Sequence, residues 1–278
     1  MRFLNPLAAL FFLVASVSAT ELTLSTYNLR LEIASDGPNQ WENRREQVAN
    51  QIAFLAPDIL GVQEALPQQV DYLEQNLAGY SYIGVGRHDG IRAGEHSAIY
   101  YRDSTTELLD SSTFWLSPTP DTPSYGWGVH YRRICTYGHF RDRQTKTTYW
   151  VFNTHFDHEM PEARLNGAKL ILDRIATLVS PNEPHFLMGD LNATPDSPPI
   201  KLISAKLQDT RLHSTGPVFG SEGTFNAFDP TTIPTRRIDY IFASPENTIT
   251  AYATLSDLID GRYPSDHFPI VIKTQLQN

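Results

Sequence analysis

Near its C-terminal end the chain reads "YPSDHFPIVI" (263–272), which sets an acid, Asp266, beside an imidazole, His267, at the start of an apolar run. Two ionisable groups at the mouth of a buried segment are costly unless partners satisfy both. The same pairing of apolar run and chemically capable residue recurs along the chain. "LTLSTYN" closes on Asn28, "DILGVQE" on Glu64, "YWVFNTH" on His155 and "HFLMGD" on Asp190, with Asn192 two residues on. "RRIDYIF" carries Asp239 near its beginning, much as Asp266 and His267 precede theirs. Carboxylates, amides and imidazoles can hold a hard cation, orient water or donate to a phosphate oxygen. A single Asn or Asp at a strand end is usually a turn residue. A whole set of them in one recurrent arrangement is hard to ascribe to turns.

Those residues need elements that bring them together. The runs "LTLSTYN", "DILGVQE", "SAIYYR", "YWVFNTH", "HFLMGDLN", "RIDYIFAS" and "HFPIVIKTQL" read as strands. Helical spacing joins Val48, Ile52 and Leu55, then Leu66, Val70, Leu73 and Leu77, then Leu165, Ala168, Leu172, Ile175 and Val179. Pro161 and Glu162 suit the first turn of the last of these. Strands and helices interleave without strict βαβ regularity, so the expectation is α/β, with mixed sheets covered by helices. Strand ends are where such folds gather ligands. If the last two strands run antiparallel to the others, their beginnings meet the others' ends and every polar group converges. The stretch 111–130, rich in Pro, Ser, Thr and aromatics, reads as a long ordered loop. Its Trp115 and Trp127 either wall a substrate cleft or only pack that loop down.

The stretches "TYN", "VQEA", "NTH", "GDLNATPDS", "RIDYIF" and "YPSDHFP" resemble, in sequence and order, the endonuclease/exonuclease/phosphatase superfamily. The resemblance runs from about Leu22 to Ile272. Further stretches look like the secreted bacterial branch near the nocturnin-like deadenylases. It implies a DNase I-like four-layer sandwich of two mixed β-sheets flanked by helices, and hydrolysis of a phosphodiester or phosphomonoester. It implies that Glu64 is the main ligand of a Mg²⁺ or Mn²⁺ ion, with Asn28 and Asp266 close by. Asp190 would accept a proton from the attacking water and Asn192 would orient that water or the phosphate. His267, held by Asp239, would touch a phosphate oxygen, with His155 as the second imidazole there. Arg133 and Asn226 are weaker candidates for contact with substrate, Arg133 being weighed against its neighbour Arg132. His96 and His158 read as surface or supporting residues.

That chemistry suits these residue types. A phosphate ester repels a nucleophile, and charge gathers on its equatorial and leaving oxygens in the transition state. Mg²⁺ takes oxygen ligands and only one or two protein carboxylates, whereas zinc would ask for more His or Cys. The 278-residue chain carries 31 Asp and Glu against 22 Lys and Arg, which argues against tight binding to duplex DNA. No membrane-surface amphipathic helix or exposed apolar hairpin is visible, which disfavours a membrane substrate. The single cysteine, Cys135, allows no intramolecular disulfide and reads as a buried small hydrophobe. Residues 1–19 have one basic residue, an apolar stretch and a Val17-Ser18-Ala19 cleavage signature, which reads as a secretory signal peptide. The expectation is therefore one domain over 20–278, secreted or periplasmic, not inserted in a membrane after cleavage, and monomeric. Its partner would be a small phosphate ester or a single-stranded nucleotide cleaved 3′ to 5′. The rival reading is a catalytically inactive carbohydrate- or phosphate-binding protein on the same fold.

Overall fold

Short strands with one face apolar, and helices with one apolar stripe, can bury those surfaces only against each other. The computed structural model describes residues 21–276; the segment read as an export signal lies outside them. In chain order come β1 (Glu21–Asn28), α1 (Trp41–Leu55), β2 (Ile59–Gln63), α2 (Pro67–Asn76), β3 (Tyr80–Ile83) and β4 (Ile99–Arg102). Then follow β5 (Thr106–Trp115), β6 (Ile134–Asp142), β7 (Thr148–His155), α3 (Pro161–Leu178) and β8 (His185–Asp190). The rest is α4 (Pro198–Ser204), β9 (Gln208–Asp209), α5 (Thr210–His213), β10 (Val218–Gly220), β11 (Asp239–Ala243), β12 (Thr248–Thr254) and β13 (Ile270–Gln275). One sheet has the order β10-β12-β13-β1-β2-β4-β3, the other β5-β6-β7-β8-β11-β9, and both mix parallel with antiparallel pairs.

Period-two patterning sends alternate side chains of each strand to opposite sheet faces. Leu22, Leu24, Ile59 and Ile272 of the first sheet meet Phe140, Val151, Phe186 and Met188 of the second in a central core. The outward face of the first sheet packs Leu60, Val62 and Tyr100 on Val48, Ile52, Val70 and Leu73 of α1 and α2. The outward face of the second packs Phe152, Leu187 and Phe242 on Ala168, Ile171 and Ile175 of α3. Four layers result, as the resemblance implied. Each fully buried large side chain contributes roughly 1.5–3 kcal/mol, which offsets the absence of crosslinks; Cys135 is buried and unpaired, as expected.

One polar and one steric feature tie the sheets together beneath one edge. The Asn153 amide of β7 donates to the carbonyls of Val62 (2.9 Å) and Ala98 (2.8 Å), and its oxygen accepts from Gln63 Nε2 at 2.7 Å. A Cβ at Gly61 would come within 2.7 Å of Met188 and 2.8 Å of Asn153, so glycine there lets the sheets approach. The helical stripe of α3 centres on Ala168, Ile171 and Ile175, with Leu165, Leu172 and Val179 half-buried on its flanks.

The expected loop over 111–130 is corrected at its start, where residues up to Trp115 belong to β5. That strand is the sheet's edge, so Ser111 and Ser112 face solvent and mask the apolar signal, while Phe114 and Trp115 are buried. Trp115 donates from Nε1 to the Arg87 carbonyl at 2.8 Å, and Trp127 packs on the cluster beneath α3; both hold the loop down.

Candidate active site

The sheet topology decides where the polar strand ends go. β7 and β8 run parallel with His155 level with Asp190, and β11 runs antiparallel so that its first residue, Asp239, sits opposite Asp190. β1 and β2 run parallel with Asn28 level with Gln63, while β13 enters antiparallel beside β1. Asn28, Glu64, His155, Asp190, Asn192, Asp239, Asp266 and His267 therefore gather at one edge of the two sheets. Glu64 and Asn192 adopt left-handed backbone, φ 62° and 46°, immediately after their strands end. Such strain at two adjacent corners persists only where surrounding contacts enforce it. Gly189 at φ 138° is likewise required, since a Cβ there would collide with the Thr154 carbonyl.

Asp190 is the hub. Its Oδ2 accepts from Asn28 Nδ2 at 3.0 Å and lies 3.4 Å from His155 Nε2 and 3.8 Å from His267 Nε2. Its Oδ1 accepts the Asn192 backbone N–H at 2.9 Å. Asn192 Nδ2 in turn lies 3.0 Å from His155 Nε2. The Asn28 amide also donates to Glu64 Oε1 at 3.1 Å, so one buried amide bridges two carboxylates. His267 Nδ1 lies 2.8 Å from Asp239 Oδ2, and Thr224 donates its hydroxyl to that same oxygen at 2.6 Å. The mouth above these groups is a cavity of about 540 Å³.

Burial and close charge set the protonation states. The Asp190 carboxyl is pushed up to about 7, chiefly by burial and then by the neighbouring Asp239 charge. The Asp266 carboxyl is pushed up to about 6, chiefly by burial, with Glu64 adding repulsion. Glu64 is half-buried, yet the Leu31 N–H, His267 and the Asn28 amide overcome the cost of desolvation and hold it below the usual range. Burial opposes charge on His267, but Asp239 and Asp190 outweigh it and hold the imidazole well above its ordinary value. Burial with Arg133 and Arg87 nearby drives His155 the other way, keeping it neutral. One cationic and one neutral imidazole thus flank one carboxyl.

Comparison with known proteins agrees with that geometry. Residues 25–267 match the Endonuclease/Exonuclease/phosphatase family. The chain belongs to that family. Its members are phosphoester-hydrolysing enzymes, and this chain is one of them by descent and by fold. A family protein of Bacteroides thetaiotaomicron is 36% identical, with TM-score 0.89 over 93% of this chain and 96% of that one. A mannosyl-6-phosphatase of the same organism is 36% identical, with TM-score 0.88 over 91% of this chain and 99% of that one. The human nocturnin catalytic domain, solved with a bound sulfate anion, shares the fold at TM-score 0.74 and 18% identity, over 92% of this chain and 94% of that one.

Family members are generally divalent-metal dependent, and the donor set here fits such an ion. Glu64, His155 and Asp190 present ligand atoms within 4.8 Å of one another, as do Asp190, Asp239 and His267. Asp239 Oδ1 is buried without a partner. Burial raises the carboxyls of Asp190 and Asp266, with Asp239 and Glu64 adding repulsion, and a bound cation would relieve both. Oxygen-rich donors short of positive charge match a hard cation better than zinc.

The structure brings together all eight strand-edge residues and Arg133, which is buried, lines the cavity, and donates from Nη2 to His158 Nδ1 at 2.8 Å. Arg132 turns away and stacks over Tyr125 at 4.3 Å. Asn226 lies beneath the site rather than facing it: its Nδ2 donates to the Ser265 carbonyl and its Oδ1 accepts from Phe228 N–H. The Asn28 oxygen similarly accepts from Arg30 N–H at 2.9 Å, leaving it a weaker candidate ligand than Glu64. His96 is a buried support bonded to Ala65, and His158 sits half-exposed on the cavity wall.

Sequence reasoning passed over Arg30, Arg87, Glu95, Tyr131, Phe225 and Arg236, which also line the cavity. In "RRIDY" strand alternation could have revealed Arg236, because its neighbour Arg237 turns inward to a buried pair with Asp209. It also missed Arg44, whose guanidinium donates to the carbonyls of Leu29, Arg30, Asn39 and Pro264 and so fixes the approaches to Asn28 and Asp266. Nothing in "WENRREQ" beyond a second arginine signals that role.

Proposed function

We propose that this chain is a divalent-metal-dependent phosphoesterase that hydrolyses small phosphorylated substrates, with sugar phosphates the favoured class. The observation that carries this is the buried carboxyl of Asp190, set between a cationic and a neutral imidazole at the floor of one cavity. Glu64 and Asp266, with Asp190 near them, would hold Mg²⁺ or Mn²⁺, which when bound neutralises phosphate charge and lowers the pKa of water. Asp190, ionised above about pH 7, accepts the proton of the attacking water, and Asn192 orients that water. His267 donates from Nε2 to a phosphate oxygen while Asp239 fixes its ring through Nδ1. Exposed Arg236, 5.3 Å over the Phe225 ring, adds a cation at the rim.

The leaving group is proposed on two grounds. The acidic composition disfavours long nucleic acid, and a relative with high identity and nearly full coverage is named a mannosyl-6-phosphatase. A single-stranded nucleotide end is the alternative substrate. Among the described residues no helix is long and apolar enough to cross a membrane. The signal-like stretch over 1–19 supports export, and with it we propose a single domain acting as a monomer.

The test is hydrolysis of p-nitrophenyl phosphate and bis-p-nitrophenyl phosphate, with Mg²⁺, with Mn²⁺ and with EDTA. Turnover that vanishes with EDTA and returns with metal is expected. An absence of metal-dependent turnover on any phosphate ester would instead favour an inactive binding protein. Mass spectrometry of the exported chain, expected to begin near Thr20, tests the signal.

A further inference from the structure

The segment 84–96, "GVGRHDGIRAGEH", holds none of the eight strand-edge residues, yet it forms part of the cavity wall. It is built to be stiff. Asp89 Oδ1 accepts the backbone N–H groups of Ile91, Arg92 and Ala93, each at 2.9 Å. Arg87 N–H donates to the Glu95 carbonyl at 3.1 Å, and the Arg87 carbonyl accepts from Trp115. Arg92 pairs with Asp71 of α2. A segment held at so many points presents two side chains in fixed positions.

Those two form a bidentate ion pair: Arg87 Nη1 to Glu95 Oε2 at 2.7 Å, and Nη2 to Oε1 at 2.6 Å. Arg87 is 6% exposed and stacks 5.3 Å from the Tyr131 ring, which is itself 48% exposed. Glu95 Oε2 lies 3.9 Å from His155 Nδ1, so the pair stands next to the reacting centre. Arg87 Nε and His155 Nδ1 are both buried and lack partners within the protein. Buried polar atoms on a cavity wall ordinarily have partners, from ligand or water if not from protein.

The charge on this wall differs from that on the phosphate side. Arg87 is balanced by Glu95, and Arg133 lies 3.4 Å from Asp157. A second phosphate or a carboxylate placed here would face Glu95 with Glu64 behind it. A neutral group would face a carboxylate that accepts, a guanidinium that donates, and an exposed aromatic ring. Hydroxyls both donate and accept, and a pyranose also offers an apolar C–H face.

We propose that the Arg87–Glu95 pair, with Tyr131, reads the hydroxyls of the alcohol leaving group, so that the substrate is a phosphomonoester of a small sugar. This rests on the phosphoesterase reading and adds the residues that select within it.

The experiment compares kcat/KM for mannose 6-phosphate and glucose 6-phosphate with that for p-nitrophenyl phosphate, whose leaving group has no sugar hydroxyls. Wild type, Glu95→Gln and Tyr131→Ala are measured, with thermal unfolding as a check on folding. Wild type should prefer a hexose phosphate, and Glu95→Gln should lower the ratio of sugar to reporter kcat/KM by roughly tenfold to a hundredfold. Tyr131→Ala, at a half-exposed site where misfolding is not at issue, should lower the same ratio by roughly threefold to tenfold. Equal losses on both substrates in both variants would overturn the proposal while leaving the phosphoesterase standing. An oligonucleotide turned over faster than every sugar phosphate would overturn it too. Wild type inactive on all esters would sink the phosphoesterase reading as well.

Discussion

The two imidazoles on either side of Asp190 have similar burial, yet one is cationic and the other neutral. His267 rests 2.8 Å from Asp239, and that contact, with Asp190 beyond it, holds a proton on the ring. His155 has no carboxylate in contact at Nδ1; Glu95 is 3.9 Å away and already occupied by Arg87, while Arg133 adds to the positive field. Burial alone would discharge both. A contact of one ångström more or less therefore separates an electrostatic donor from a neutral partner. The residue type in the sequence is the same, so the role comes from the neighbour.

The largest effect that could break this comparison is at the shared carboxyl. Asp190→Asn should lower kcat by about a thousandfold or more, since it removes the proton acceptor but keeps an oxygen for the Asn192 N–H. Its stability should move the other way. A carboxyl whose folded pKa stands near 7 loses stability as pH rises from its unfolded value through 7. In EDTA at about pH 8 the variant should melt no lower than wild type. A large drop in melting temperature would mean that Asp190 serves the fold rather than the reaction.

Next comes the partner of the cationic ring. Asp239→Asn should reduce kcat about a hundredfold, and NMR of His267 should show its pKa fall toward the ordinary imidazole range. An unchanged His267 titration would show that Asp190, not Asp239, holds its charge. Metal binding gives a smaller, graded effect. Asp266 and Asp190 hold protons to about 6 and about 7, and a cation must displace them. The Mg²⁺ concentration needed to raise the melting temperature should fall by roughly tenfold to a hundredfold between about pH 5.5 and 7.5. A pH-independent requirement would place the ion away from both carboxyls.

Much of this was legible in the sequence because strand ends are local features. "GD" and "SDH" mark their corners by composition, and the parallel or antiparallel course of six strands does the rest. The edge strand β5 was not legible, since polar residues at its exposed positions break the apolar alternation, nor was β3, four half-buried residues with no contrast between faces. Nor was the Arg87–Glu95 wall, because a loop of Gly, Arg and Asp has the composition of any exposed turn. What distinguishes it is burial by Tyr131 and Trp115, which lie well beyond the segment in the chain. Asn226 shows the reverse error: a residue well placed in the sequence whose amide the backbone consumes.

The finest test of the comparison concerns the neutral ring. Arg133 is the first charge, after burial, that keeps His155 unprotonated. Arg133→Met removes that charge and keeps the length of the side chain against the cavity wall. The pKa of His155 should rise, bringing protonation within reach of mildly acid solution, while His267 should hardly shift. If a neutral His155 is needed beside Asn192 Nδ2, the variant should lose at most about tenfold in kcat near pH 8 and more as pH falls. The sign follows from the Asn192 amide: a protonated Nε2 can no longer accept from it, so Asn192 would release the water it orients. NMR titration of both rings reads the cause, and the pH profile of kcat reads the consequence. Should His155 already be charged at neutral pH in the wild type, the two sides of Asp190 would be alike and the contrast drawn above would dissolve.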